Sequence, residues 1–407
     1  MQALYQRTTS LVASGWDFLT EPNYYCVSRP LLAFAITRLI ALVGGYISAA
    51  FIPEDTSIQV WHGAPGSPFF DMWGRWDSAW YLQITNGGYF FTPGKQSAVA
   101  FFPLYPLLMS LLKPFTNSAL LAGWLISNVC FLLALILLYK LVEREFSDSS
   151  IAARAVLYIA IFPTAFFFSA VYSESLFLLL AAASFYFVRQ RKWLYAAMSG
   201  MFLAATRIIG VTMWLVIIVE WLHVHGLQLR TMPPKEMGRN FLDALHKDWC
   251  SLAAIQLIPF GLAAYMLYLQ AAFGNPLAFM IAQKDWDNQV RGALMVIWTT
   301  VRDLLAGAHF WWFAPLDLAV FFAALAICWA VWRRLGSTYG LYSLLCILIP
   351  ISSTTRSMIR YALVAFPLFI ILAWWGRNPR FNRAYVGISA VFLAVFMAIF
   401  VSWRFIA

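Results

Sequence analysis

Apolar runs of about 18 or more residues recur along this 407-residue chain, and each is long enough to cross roughly 30 Å of hydrocarbon as a helix. Little else in the sequence constrains the fold so strongly. The chain is 62% hydrophobic and 11% charged, against roughly 25% charged for soluble domains, and its mean hydropathy is +0.72. The fold class predicted is all-α: a polytopic helical membrane protein forming one integral-membrane domain over 1–407. Candidate spans cover 31–52, 118–140, 153–171, 174–188, 193–209, 210–224, 249–272, 313–332, 338–351, 359–376 and 384–405, about 11 in all. The first exceeds a signal-peptide core and is read as retained.

A net charge of +10 invites a nucleic-acid reading, but its placement points to membrane topology. Basic residues gather between spans: Arg189, Arg191 and Lys192; Arg230, Lys235, Arg239 and Lys247; Arg333 and Arg334; Arg377, Arg380 and Arg383. Short loops enriched in this way face the cytoplasm. That puts the N-terminal segment, 1–30, inside and the C-terminus outside. Residues 53–117 become a long first external loop, and 273–312 a second external segment. Within the loop, AFFPLYPLLMSLLKPF (100–115) is interrupted by Pro103, Pro106 and Pro114 and is read as interfacial or re-entrant. The five cysteines show no CxxC or other metal spacing.

The first loop carries the chemistry. In RWDSAWYLQITNGGY (75–89), a helix predicted from Asp71 to Asn86 places Trp73, Asp77, Trp80, Tyr81 and Ile84 on one face. Gly87 and Gly88 end it. An aspartate in an aromatic stripe is partly desolvated, which favours its use as a proton acceptor. The plainer reading pairs Asp77 with Arg75 or has it cap loop amides. Asp71 reads as the N-cap of the same helix. Trp76, Trp80 and Tyr81 suit either a membrane interface or stacking on a sugar.

These residues resemble the PIG-V family, the second mannosyltransferase of GPI-anchor assembly, and its prokaryotic relatives. RWDSAWYLQITNGGY with AFFPLYPLL is similar to the family's first-loop signature, and FPTAFFFSAVYSESLF (162–177) to its Tyr-Ser-Glu-Ser segment. ATRIIG (205–210) matches a Thr-Arg-x-x-Gly element, and FGNPLAF with QKDW (273–286) and RSMIRYALVAFPLF (356–369) match later external motifs. Phe162 and Ile209 stand where the eukaryotic branch usually has Asn, which favours a prokaryotic-type member.

The resemblance implies a GT-C-type glycosyltransferase in the prokaryotic cytoplasmic membrane, or the ER membrane of a eukaryote, with its active site facing away from the cytoplasm. The donor implied is a polyprenyl- or dolichyl-phosphate hexose, most often mannose, and the acceptor a glycolipid or glycan. Transfer would invert the anomeric centre. Asp77 matches the family's acidic residue and becomes the expected general base. Arg207, Arg356 and Arg360 suit the donor phosphate, because guanidinium binds phosphate oxygens in pairs. Their plainer roles are a salt bridge from Arg207 to Glu174, and headgroup anchoring by Arg356 and Arg360, which lie four apart on one expected helical face. Asp71, Trp76, Trp80, Tyr81, Tyr172, Glu174 and Gln283 are the expected acceptor or donor contacts, with Lys284 and Asp285 beside Gln283. Glu174 also fits an interhelical partner for an arginine.

No cofactor, nucleic acid or metal is expected. His62 has only His309 as a companion on its side, and a divalent ion on Asp71, Asp77 and Glu174 is the lesser alternative. A transporter or flippase of lipid-linked sugars, or a docking subunit, would share the composition. The polar residues collect at external ends rather than near the midplane, where transporters place their sites.

Overall fold

A computed structural model describes residues 21–406 except 59, 228–233, 287 and 308–312. Residues 1–20 of the expected inner segment, Arg230, His309 and the side chain of Lys235 lie outside the described residues. Among those described there is no strand. Five of the described helices are long and apolar enough to cross a membrane, and a bent pair would add a sixth. Shorter apolar helices of 10–17 residues, such as Trp193–Ala204 and Ser337–Ile351, stand at four of the other expected spans.

The chain enters through α1 (Tyr25–Phe51). The first loop carries a single turn, α2 (Pro68–Asp71), then α3 (Ser78–Gly87) and α4 (Leu104–Thr116). At 13 residues, α4 is about 20 Å long and too short to cross the bilayer. It buries Tyr105 and Met109 while exposing Leu107, Leu111 and Phe115. Next come α5 (Ala119–Phe146) and α6 (Ser149–Ile161). The hairpin α7 (Glu174–Arg189) and α8 (Trp193–Ala204) leads to α9 (Met213–Val224), α10 (Pro234–Ile255) and α11 (Ile258–Phe273). The second external segment holds α12 (Ala278–Lys284) and α13 (Ala293–Leu305). The chain closes with α14 (Ala314–Leu335), α15 (Ser337–Ile351), the bent pair α16 (Met358–Val364) and α17 (Pro367–Trp375), and α18 (Pro379–Val401). α1 packs on α18 so closely that a Cβ at Gly44 would meet the Ala394 carbonyl oxygen at 2.5 Å. Small residues permit such contacts between membrane helices.

Several expected helices are interrupted, and three of the breaks bear on the site. The span expected over 153–171 stops at Ile161. Phe162 precedes Pro163 and takes extended dihedrals (ψ 144°), the conformation favoured before proline. A 3₁₀ turn follows at Ala165–Phe168. Irregular backbone at this depth survives only when buried in protein, and Arg38 supplies the partners. Its Nη1 donates to the Ala165 carbonyl at 2.9 Å and Ser169 Oγ at 3.0 Å, and its Nη2 to the Ala160 carbonyl at 3.1 Å. Replacing Arg38 by Leu strips these carbonyls of partners and is expected to cost about 3 kcal/mol, read as a lowered Tm of the purified protein.

The second break is at 359–376, where α16 and α17 meet at 88° just before Pro367. The third falls inside the first loop. The helix expected over 71–86 is interrupted at Gly74–Asp77, where Trp76 takes a left-handed φ of 56°, an uncommon and strained conformation for a bulky residue. Asp71 is therefore the last residue of α2, and Asp77 is the N-cap of α3.

Candidate active site

The irregular stretch after Pro163 is what positions the first loop. Val171 N–H donates to the Trp73 carbonyl at 3.0 Å. The Tyr172 hydroxyl donates to the Arg75 carbonyl at 3.0 Å and accepts from the Asp77 N–H at 3.1 Å. Tyr81 O–H donates to Ser173 Oγ at 3.0 Å. Burial pushes the Tyr81 phenol up to about 12, so it serves as a donor rather than a base. The loop is thus moulded on the turn leading into α7.

Asp77 makes no side-chain cap bond to its own helix. Its Oδ2 accepts instead from Arg360 Nη1 at 2.9 Å. Arg360 Nε donates to Glu174 Oε1 at 2.6 Å, and Arg207 Nη1 donates to that same oxygen at 2.6 Å. Four segments distant in sequence thereby meet: the first loop, the start of α7, the turn after α8, and α16. Glu174 is fully buried, Arg360 is 11% exposed and Asp77 24%. Arg360 also lies over the Tyr172 ring at 4.7 Å, a favourable placement for a cation.

Gly210 of the Thr-Arg-x-x-Gly element brings the turn after α8 back against that helix. A Cβ there would overlap the Leu203 carbonyl oxygen. Only glycine permits the approach that aims Arg207 at Glu174.

A cavity of about 1780 Å³ opens beside this cluster, larger than the roughly 300–1,000 Å³ of ordinary small-molecule sites. Asp77, Trp76, Trp80, Tyr81, Arg207, Gln283, Arg356 and Arg360 line it, as does Lys284. Tyr172, Glu174 and Asp71 do not; the first two act on the lining residues from behind. Trp80 stacks on Phe101 (5.7 Å, 12°) and meets Trp286 edge-on. One face of its ring is therefore already occupied by protein. Trp76 packs edge-on against Phe405. Arg356 precedes α16, with left-handed Ser357 (φ 69°) between. The two arginines therefore do not share the helical face expected of an i, i+4 pair.

Asp71 does not cap the helix expected to follow it. Its Oδ2 accepts from Arg75 Nη1 at 2.8 Å and pairs with His62 Nδ1 at 2.7 Å, and its Oδ1 accepts from the Ala64 N–H at 3.0 Å. Arg75 thus belongs to Asp71 rather than Asp77. Burial alone would raise the Asp71 carboxyl, but the Ala64 amide, His62 and Arg75 together hold it below its ordinary value. A depressed folded pKa stabilises above the unfolded value, and that contribution is lost as pH falls through the folded one. The loop is therefore expected to loosen only below about pH 4, read by tryptophan fluorescence, and Asp71→Asn is expected to remove this acid step. Among the described residues no three His, Cys, Asp or Glu side chains gather as a metal site would require. Asp71 sits on Arg75, whereas Asp77 and Glu174 sit on Arg360.

Two residues that shape this end of the molecule escaped the sequence reading. Arg38 and Asp317 are lone charges within the first turns or middle of apolar spans, and an ionisable residue in a membrane span is a functional signal by default. Asp317 is fully buried, and its Oδ1 accepts the Ile359 N–H at 3.2 Å.

The chain is an all-helical membrane frame of GT-C-type fold, with a carboxylate and arginines on the wall of one large cavity. The structure aligns over 92% of this chain with ArnT from Cupriavidus metallidurans bound to undecaprenyl phosphate, at a TM-score of 0.50 and 11% identity, covering 76% of that chain. The archaeal oligosaccharyltransferase AglB from Archaeoglobus fulgidus, in complex with an inhibitory peptide and a dolichol-phosphate, aligns over 92% of this chain and 56% of its own. Its TM-score is 0.46 and its identity 14%. The sequence model of the mannosyltransferase (PIG-V) family matches residues 25–276, and the chain belongs to that family. GPI mannosyltransferase 2 of Drosophila pseudoobscura pseudoobscura is 32% identical over 121 residues, 27% of this chain. The match spans 25% of that relative's length.

Proposed function

We propose that the protein transfers a hexose, mannose first among candidates, from a polyprenyl- or dolichyl-phosphate donor to a glycolipid or glycan acceptor on the non-cytoplasmic face. The observation that carries this reading is the pairing of Asp77 with Arg360 on the wall of one large cavity. A proton acceptor and a phosphate-binding cation side by side are the parts that displacement at an anomeric carbon needs. The acceptor hydroxyl oxygen forms the new bond to that carbon as the bond to the phosphate oxygen breaks. The lipid phosphate leaves with the electron pair, and the hydroxyl proton passes to Asp77. Arg360, Arg356 and Arg207 meet the charge on the departing phosphate. As Arg360 turns to the phosphate, its hold on Asp77 weakens and the carboxylate is released to act as base.

The run of α7 supports the reading of the membrane side. It runs from Glu174 at the site to Arg189, about 24 Å away, where Arg191 and Lys192 begin the next turn. Arg333 and Arg334 lie at the corresponding end of α14. The basic turns thus lie at the end of the bundle opposite the cavity, which supports an external site. The size of the cavity suits a sugar, its phosphate and part of an acceptor together. ArnT, the neighbour of similar fold, was solved with a polyprenyl phosphate.

Purified protein in nanodiscs, given labelled short-chain polyprenyl-phosphate-mannose and a panel of mannoside and lipid acceptors, is expected to yield labelled product. With arginine side chains as the only assigned phosphate partners, EDTA is expected to leave the rate within twofold. Failure of every donor sugar and acceptor, in a protein that still binds polyprenyl phosphate, would overturn the transfer reading in favour of transport.

A further inference from the structure

We propose that Asp317 is a positioning residue for Arg360, acting as a helix cap supplied from another span. The proposal rests on the transferase reading for its consequence, though not for its geometry. α16 begins without a cap of its own: Ser357, at the N-cap position, is left-handed and its side chain makes no cap bond. The first amides of a helix have no intrahelical partner, and Ile359 is buried, so its amide needs a partner within the protein. Asp317, in the first turn of α14 and fully buried, takes the Ile359 N–H. A carboxylate at a helix N-terminus is also favoured by the helix dipole.

Arg360 is the very next residue. Its own N–H returns to the Ser357 carbonyl at 2.9 Å, so the turn that Asp317 anchors is the one that aims the guanidinium. The same turn is held on its other side by Thr164 Oγ1, which donates to the Ile359 carbonyl at 3.2 Å, and the far end of α16 by Tyr342 O–H donating to the Val364 carbonyl at 2.8 Å. α16 is a seven-residue helix bent away from its continuation. It is too short to hold its own direction without such anchors. Asp317 reaches neither the cavity nor the reacting atoms; its influence passes through Ile359 to Arg360, and from there to Asp77 and Glu174.

The test is hydrogen–deuterium exchange of the whole protein in nanodiscs, comparing wild type, Asp317→Asn, Asp317→Ala and Asp317→Leu, with transfer kinetics in parallel. Asparagine keeps the acceptor oxygen; alanine and leucine remove it, and leucine also fills the space. Exchange of amides 358–361 is expected to rise about tenfold in the Ala and Leu proteins and to stay within threefold in the Asn protein. Peptides from the rest of α14 should change by less than twofold. In the same proteins kcat is expected to fall about tenfold, with the acceptor KM within twofold, and Asp317→Ala should cost less than twofold when added to Arg360→Ala.

Unchanged protection at 358–361 without the acceptor oxygen would overturn the proposal, as would an Asn protein as impaired as Ala and Leu, or full additivity with Arg360→Ala. If wild type transfers no sugar, the transferase reading fails while the exchange data still decide whether Asp317 holds this turn.

Discussion

Replacing Asp77 by Asn is expected to lower sugar transfer by about 10²–10⁴-fold in a protein that still folds. The amide has nearly the shape of the carboxylate and keeps an oxygen for Arg360 Nη1. The backbone bond from residue 77 to the Tyr172 hydroxyl is untouched. What disappears is the capacity to take a proton from the acceptor. The loss should therefore fall on kcat, with donor affinity changed by less than about threefold. Single-turnover measurement of labelled mannose transfer, with thermal unfolding run on the same preparation, reads both. Turnover equal to wild type would remove Asp77 from the chemistry and leave the Arg360 pair as structure.

A different failure is expected for Glu174→Gln. Two guanidinium groups converge on one oxygen of Glu174 at 2.6 Å each, and that side chain is fully buried. Removing the negative charge leaves Arg207 and Arg360 facing each other with only Asp77 to offset them. Breaking a buried pair from one side costs about 3–5 kcal/mol, because two largely buried guanidinium groups are left side by side with one carboxylate fewer. The protein is expected to lose that much stability, seen as a markedly lower unfolding temperature in detergent, and transfer should fall with it as Arg360 loses its aim. The double substitution Glu174→Gln with Arg207→Gln should recover part of the stability and little of the transfer, since one of the two uncompensated charges is then gone. If the single substitution left stability unchanged, the shared oxygen would be a poor account of what holds these helices together.

Much of the frame was legible because a membrane leaves a chain few options. Apolar length marked the helices α7, α14 and α15 within about three residues, and α1, α5 and α18 within about six. The candidate site was legible in its residues rather than in its wiring. Asp77, Arg207 and Arg360, named from the sequence, all reach the cavity wall, and the salt bridge from Arg207 to Glu174, the plainer of the two readings of that arginine, is present. The partner of Asp77 was not: sequence proximity favoured Arg75, whereas a residue 283 positions away supplies the guanidinium. The helix drawn through 71–86 failed for a related reason. Its apolar spacing is helical throughout, but Val171 and Tyr172 take up the backbone of Trp73, Arg75 and Asp77. A tertiary hydrogen bond to those groups leaves no reason for the helix to continue through them.

The helical membrane architecture and the family can thus be read along the chain. Those follow from hydropathy, loop charge and local motifs, each a short-range property. Not readable there is that Pro163 opens a turn on which the first loop is moulded, that Asp71 serves the loop while Asp77 faces the cavity, and that Asp317 takes the Ile359 N–H beside Arg360. Each is a pairing between segments far apart in the chain. Buried polar groups in lipid must find partners wherever the fold brings them, and spacing along a strand of sequence carries no record of which partner that will be.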